Sequence, residues 1–468
     1  MQIRGLWYRS LLALSVLACT LKPSFSQTPV AGTQKSDNKI QALLVERLNP
    51  KSDTGIVVGV LVPGGASIVY AGTAGPGSSP ALDGKTVFEI GSATKVFTGA
   101  LLADMVERGE VRLDDPVAKF LPSSVRVPTK GGKPITLLDL ATHTSGLPRL
   151  PANMKPKDLA NPYADYTIQQ MYDFLSGYDL PREIGESYQY SNLGVGLLGH
   201  VLSLKAALSY EELVKKRILE PLQMKDTVIT LDPGLRSRLA VGHDASGREV
   251  ANWDLPALAG AGALRSTASD MLKFLAANVG GGPLSAALHR AHVAQRSLGT
   301  PGGNIGLCWH LRQTGRSEII WHNGGTAGYH SFIGFDPKTG AGVVVLHNSA
   351  ASIDDIGFHL IDEQLPLAKP AAPPKARTEI TGKPELLETY TGEYQLVPGF
   401  SLTVTRDGDK LFVEATGQSR LQVYPESETE FFYRVVDAQI SFVKDAEGRI
   451  TGLVLHQGGR DLPGKKIK

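Results

Sequence analysis

A serine three residues before a lysine can do acyl-transfer chemistry only where the two side chains share a face. On a helix positions i and i+3 do, and the lysine amine can then take the serine proton. The sequence holds three such pairs, Ser36/Lys39, Ser92/Lys95 and Ser441/Lys444. Chance alone supplies roughly one or two in a chain of ordinary composition, so the setting of each pair decides. Ser441 and Lys444 lie in a strand pattern, whose period of two puts them on opposite faces. Ser36 and Lys39 fall in a polar stretch near the start. Ser92 follows the short strand signal FEI and opens the amphipathic helix pattern ATKVFTGALLADMVERGE. The first amides of that helix point toward the hydroxyl and can hold a developing oxyanion. Ser92 is therefore the expected nucleophile and Lys95 its base. The bland alternative is a helix cap beside a solvated lysine.

Two further sets bear on the choice. Tyr190-Ser191-Asn192 is the one Tyr-x-Asn in the chain, and it lies where a loop containing Gly185 gives way to the apolar helix LGVGLLGHVLSL. At such an edge both side chains can enter a cleft. A phenol near a lysine ammonium is expected to have a lowered pKa and to relay a proton, while the asparagine amide binds a substrate carbonyl. The structural alternative is a buried tyrosine and an asparagine cap. His322-Asn323-Gly324-Gly325 ends the apolar strand EIIW, and its glycines let a substrate backbone approach closely. His322 is then placed to orient substrate, although a histidine at a strand end is commonly just solvated. Lys338-Thr339-Gly340 follows Asp336-Pro337 and reads as a hairpin turn, hence a decoy. His289 and His292 read as surface residues of a helix. No Gly-x-Ser-x-Gly elbow and no His-Glu-x-x-His is present, against an α/β-hydrolase and a zincin.

The elements that must position these groups are legible in part. TGIVVGVLVPGGASIVYAG reads as a hairpin turning at Pro63-Gly64-Gly65. Residues from about 110 to 300 carry mostly helical signals, with Thr136 and Asp139 as a capping box. Strand signals return in RSEIIWHNGG, SFIGFDPKTG and AGVVVLHNS, so the sheet is built from both ends of the domain. Residues 365–384, rich in Pro, Ala and Lys, read as a semi-rigid linker. From residue 386 to 468 short strand signals follow, with turns at Asp407-Gly408 and Glu447-Gly448, as in a small all-β sandwich or half-barrel.

In order, FEIGSATK, LLDLATHTSGLP, YSN and HNGG resemble the serine β-lactamase family that includes class C β-lactamases, DD-peptidases and related esterases, over roughly residues 38–362. TGEYQL and LVLHQGG are similar to the lipocalin-like β domains that follow some members. The resemblance implies an α+β fold, an antiparallel sheet flanked by helices with a helical lobe, followed by a small all-β domain. It implies that Ser92 is acylated, that Lys95 and Tyr190 form the proton-transfer pair, and that Asn192 contacts the substrate amide. His322 to Gly324 take the place of the third motif, and the Ser92 and Gly325 amides form the oxyanion hole. Class C β-lactamases carry lysine where His322 stands. A histidine with a pKa of about 6.5 is mostly neutral at pH 7, so the substrate class is left open.

The expected function is a serine acyl-hydrolase of β-lactams or D-amino-acid amides. The alternatives are a carboxylesterase of the same fold and a penicillin-binding sensor or scaffold that does not turn over. The chemistry needs neither metal nor organic cofactor. Residues 1–26 read as a secretory signal, with Arg4 and Arg9 before a short apolar run and small residues Ser24 and Ser26 before Gln27. Cys19 offers the rival of a lipoprotein, and only then a membrane partner. Losing Arg4, Arg9 and Lys22 takes the net charge from +2 to −1, which gives no reason to expect nucleic acid. The mature chain, secreted or periplasmic, keeps Cys308 as a structural thiol with no disulfide partner.

Overall fold

The computed structural model describes residues 33–468 except 51, 79–80, 369–378, 381–383, 398–399, 417–419, 434–437 and 458–459. The expected signal, its cleavage site and Cys19 lie outside the described residues.

One antiparallel sheet of eight strands carries the first unit. Its order is Gly65–Gly72, Gly55–Val62, Gly342–His347, His330–Phe335, Glu318–Gly325, His310–Gln313, Gly303–Ile305 and Arg296–Ser297. The first hairpin turns at Pro63-Gly64, where Gly64 has φ +102°, a backbone that glycine adopts without strain. It then pairs with Gly342–His347 in the register Val58 to Val345, so the two ends of the domain do close one sheet.

Alternation along the strands feeds two cores. Val57, Ile320, Ile333, Val344 and Leu346 join the larger core under the helices. Their neighbours Ile56, Val58, Ile319, Phe332, Val343 and Val345 point to the other face, against Ile40 and Leu44 of helix Thr33–Arg47 and Ile356 of helix Asp354–Ile361. Helices thus cover both faces.

Two readings differ from the sequence expectation. The helix after Ser92, Thr94–Glu107, is not amphipathic: Thr94 through Met105 are all buried, because it runs through the domain centre between the sheet and the lobe. Residues 142–166 and 178–190 are irregular rather than helical; prolines at 148, 151, 156 and 162 interrupt the first of them. IGLCWHL, which holds Cys308, links strands Gly303–Ile305 and His310–Gln313 of the sheet. The capping box at Thr136 is present, with Thr136 N–H donating to Asp139 Oδ2 at 3.0 Å and Asp139 N–H to Thr136 Oγ1 at 3.3 Å.

Helix Asn192–Ala206 contains Gly194-Val195-Gly196-Leu197-Leu198-Gly199, a spacing shared with dinucleotide-binding turns. Here the glycines make a packing seam. A Cβ on Gly196 would stand 2.6 Å from Leu258 Cδ2, and one on Gly199 3.0 Å from Gly260 Cα.

The second unit is a closed eight-stranded barrel, Gly392–Val397 through Arg460–Lys466, rather than a sandwich or half-barrel. Closure comes from Tyr394 opposite Lys466 and Gln395 opposite Lys465, a pairing between its first and last strands. Tyr390, Tyr394, Phe431, Phe442 and Leu453 are among the side chains that fill its core.

Candidate active site

Ser92 sits in a 3-10 turn, Gly91–Ala93, between the short strand Phe88–Glu89 and helix Thr94–Glu107. Gly91 has φ +48°, and a Cβ there would lie 2.8 Å from Gly325 N. Only glycine lets this turn and the strand Glu318–Gly325 approach so closely. Gly324 is equally constrained, since its Cβ would meet Ile90 O at 2.0 Å and Ser92 N at 2.8 Å. The hydroxyl of Ser331 donates to Ile90 O at 2.7 Å and ties the same turn to the sheet.

That approach places two amides beside the serine. Thr326 N–H bonds Tyr329 O at 3.0 Å, so by the alternation of an antiparallel ladder the Gly325 N–H faces the opposite edge. Pairing with the neighbouring strand on that edge has already ended, at Trp321 opposite His310. The Gly325 amide is therefore left without a ladder partner on that edge, and its nitrogen lies against Gly91, the residue before Ser92.

Lys95 is wholly buried and makes three contacts through Nζ. They are Ser92 Oγ at 2.9 Å, Asn192 Oδ1 at 2.8 Å and Ala261 O at 2.7 Å. Burial, with the nearby Arg149 charge, holds the amine well below the ordinary lysine range. Asn192 Oδ1 and Ala261 O can only accept, so two of the Nζ hydrogens go to them, and the remaining position of the amine faces the Ser92 hydroxyl. Ser191, not Asn192, caps its helix by accepting Gly194 N–H at 2.8 Å, which frees the asparagine amide for the lysine.

Tyr190 is hydrogen-bonded to Ser92, and burial pushes its phenol up to about 12, against the opposing pull of that bond and of Arg149. The lowered phenol pKa expected from the sequence is thus reversed, because burial of the phenol outweighs the groups that pull it down. Lys95 Nζ lies 4.8 Å from the Tyr190 ring centre, and His143 stacks on the ring at 4.5 Å.

His322 is 1% exposed. Its Nδ1–H donates to Asn323 O at 2.5 Å, and its Nε2 is buried with no partner among the described residues. A carbonyl can only accept, so Nδ1 carries the proton and Nε2 is left with a free lone pair. Burial, reinforced by His310 and Lys95, holds this ring well below 6.5. At neutral pH the third-motif residue is an uncharged acceptor.

Sequence reasoning thus named Ser92, Lys95, Tyr190, Asn192, His322, Gly324 and Gly325, and the fold brings all seven together. It missed His143, His310 and Arg149. His143 has φ +57° and accepts Ser191 N–H on Nδ1 at 3.0 Å; His310 bonds the Tyr188 hydroxyl at 3.0 Å and packs 5.0 Å from His322. His143 and Arg149 flank the phrase HTSGLPR, whose cluster of turn formers was the available signal. The remaining motifs fall elsewhere. Lys338-Thr339-Gly340 is a turn in which Gly340 has φ +72° and Asp336 Oδ1 accepts Lys338 N–H at 2.7 Å. His289 is exposed, but His292 is half-buried and bonded to Asn278 Oδ1 at 2.7 Å rather than solvated. Cys308 is free and buried, and burial raises its thiol to about 12. No cluster that could hold a metal occurs among the described residues.

A family model described as Beta-lactamase matches residues 45–365, and one described as Domain of unknown function (DUF3471) matches residues 376–466. The chain is 30% identical over 362 residues to the D-alanyl-D-alanine-carboxypeptidase/endopeptidase AmpH of Escherichia coli (strain K12), covering 72% of this chain and 91% of the relative. It is 26% identical over 411 residues to Penicillin-binding protein 4* of Bacillus subtilis (strain 168), covering 82% and 88%. Its fold is similar to the crystal structure of β-lactamase/D-alanine carboxypeptidase from Yersinia pestis, with a TM-score of 0.61 and 25% identity over 70% of this chain and 99% of that one.

Proposed function

The chain belongs to the β-lactamase family and is a serine hydrolase of the class C β-lactamase and D-alanyl-D-alanine carboxypeptidase type; on that premise we propose that it cleaves D-amino-acid amides and β-lactams through an acyl-enzyme on Ser92. The observation that carries this reading is the wholly buried Lys95, whose Nζ lies 2.9 Å from the Ser92 hydroxyl while Asn192 and Ala261 hold its other two positions.

In the acylation step Lys95 Nζ takes the Ser92 proton as Oγ attacks the carbonyl. The Ser92 and Gly325 amides receive the oxyanion. The protonated amine can then use all three of its contacts as donors, and Tyr190, held as a phenol, passes its proton to the leaving nitrogen and is replenished from Lys95. Asn192 fixes the lysine and presents its amide N–H to the substrate. Deacylation reverses the sequence with water in place of the amine.

Incubation with a penicillin followed by mass spectrometry of the peptides tests this. One penicilloyl adduct on the Ser92 peptide, absent in Ser92→Ala, is expected. Turnover undiminished in Ser92→Ala would overturn it.

The same reading assigns residues 1–26 to an export signal, 38–362 to the hydrolase, 365–384 to a linker and 386–468 to the β domain. The sequence pattern around Gln27 supports export, and a secreted protein beginning at Gln27 is the expected result of amino-terminal sequencing. A lipid on Cys19 would replace it.

A further inference from the structure

We propose that Arg149 is the residue that selects the substrate of this site, by binding a substrate carboxylate. The proposal rests on the hydrolase reading above and goes on to name the charge of its substrate.

The backbone at Arg149 is pinned to the catalytic motif. Its carbonyl accepts Asn192 N–H at 3.0 Å and Leu193 N–H at 3.2 Å, and the adjoining Pro148 O accepts the Ser191 hydroxyl at 2.6 Å. The turn before it is fixed by Gly146, at φ +80°. The side chain, by contrast, is committed to nothing. Arg149 is exposed, and among the described residues its guanidinium makes no hydrogen bond and no ion pair. It lies over the Tyr190 ring, whose centre is 5.1 Å from Cζ. A guanidinium stacked on an aromatic face keeps its N–H edge free for an incoming carboxylate.

The surroundings explain why a cation is needed there. His322 presents a bare Nε2 lone pair, which accepts from an N–H or O–H and repels a carboxylate. Lys95 is buried and its Nζ is fully engaged by Ser92, Asn192 and Ala261. His143 and His310 are held below their ordinary range by burial. Arg149 is thus the permanent positive charge against the ring of the proton-transfer tyrosine, near enough for its charge to bear on Lys95 and Tyr190. It takes the anion-binding task that a lysine in the third motif would otherwise perform, from a different side of Tyr190. The substrate class this favours is an acyl donor carrying a free carboxylate within reach of the scissile bond.

Two matched pairs test it. The first is a nitrophenyl hemisuccinate against its methyl ester, with the carboxylate on the acyl side. The second is a D-alanyl-D-alanine peptide against its carboxy-terminal amide, with the carboxylate on the leaving side. Each is assayed with wild type, Arg149→Gln and Arg149→Lys. For at least one pair, the ratio of kcat/KM for the acid to that for its neutral partner is expected to fall roughly 10-fold or more in Arg149→Gln. The loss should appear in KM, be partly restored in Arg149→Lys, and shrink in wild type as salt is raised. If both members of both pairs fall in parallel, or if neither ratio moves, the carboxylate role is wrong. Ser92→Ala run on the neutral ester separates the two levels: activity that survives it sinks the hydrolase reading itself, whereas a normal Ser92 dependence with unchanged ratios sinks only the role of Arg149.

Discussion

The nucleophile turn and the barrel wall contain the same Ser-x-x-Lys spacing and put it to opposite ends. At Ser92 the two side chains meet at 2.9 Å, inside a domain where Lys95 is wholly buried. On the barrel wall, Lys444 pairs with Glu428, while Ser441 turns to His456 at 2.9 Å, and His456 Nδ1 bonds Asp461 at 2.7 Å. The wall therefore displays a hydrogen-bonded Ser, His and Asp set, which by residue type alone looks the more reactive of the two. It lacks what the turn supplies. Ser441 is paired on both edges, opposite Glu430 and Val454, so the ladder claims the strand's amides. The third copy sharpens the point. Ser36 and Lys39 do lie on a helix, Thr33–Arg47, yet both are exposed. Helical spacing is necessary for the pair, but burial of the amine and two free amides turn spacing into chemistry.

The comparison breaks most directly at Ser92. Ser92→Ala is expected to lower kcat by about 10⁴ or more, and Lys95→Ala by a similar factor, because the two act as one unit and their losses do not add. The double variant should be no worse than either single variant. A double variant far below both would mean that Lys95 acts independently of Ser92.

Tyr190→Phe comes next. Removing one proton donor costs about 10²–10³ in kcat, and the loss should be smallest for nitrophenyl esters, whose leaving group needs no proton. The pH profile carries the same logic. Lys95 must be unprotonated and sits below its ordinary value, so activity rises with pH through an acid limb. Tyr190 must stay protonated and does so up to about 12, so no alkaline limb should appear below pH 10. An alkaline limb near pH 8 would show that a different acid carries the proton.

Stability should also depend on acid, for a reason separate from catalysis. Burial depresses His310 to about 4 and His292 and His347 to about 3, and holds His143 and His322 well below 6.5. Between those values and 6.5 the unfolded chain binds more protons than the folded one, so stability is present above pH 6.5 and is lost as pH falls through it. His310, His292 and His347 each cost about 2 kcal/mol by pH 5. A urea midpoint unchanged between pH 7.5 and 5 would mean that these rings are not neutral in the fold.

The sequence made the nucleophile turn legible because a strand signal, a glycine and a helix signal are local and adjacent. Asn192 and Gly325 could be named for the same reason, as each lies at the end of an element. Arg149, His143 and His310 could not, because their meaning comes from contacts across tens or hundreds of residues, such as His143 with Ser191 and His310 with Tyr188. Barrel closure was hidden likewise, since Tyr394 and Lys466 meet from opposite ends of the unit. The direction of the Tyr190 shift was misjudged because burial of the phenol, which spacing along the chain does not reveal, outweighs the groups that lower it.

The smallest effect is the most discriminating. Ser441→Ala is expected to leave kcat/KM for ester, peptide and cephalosporin within about 2-fold of wild type, as for an ordinary surface substitution. The residual rate of Ser92→Ala should be no lower in the Ser92→Ala, Ser441→Ala double variant. Residue identity and hydrogen bonding both favour Ser441, so a null result there isolates the missing ingredients as burial and oxyanion amides. A measurable loss of ester turnover in the double variant would mean that an open strand surface carrying Ser441, His456 and Asp461 is enough, and that the contrast drawn with Ser92 fails.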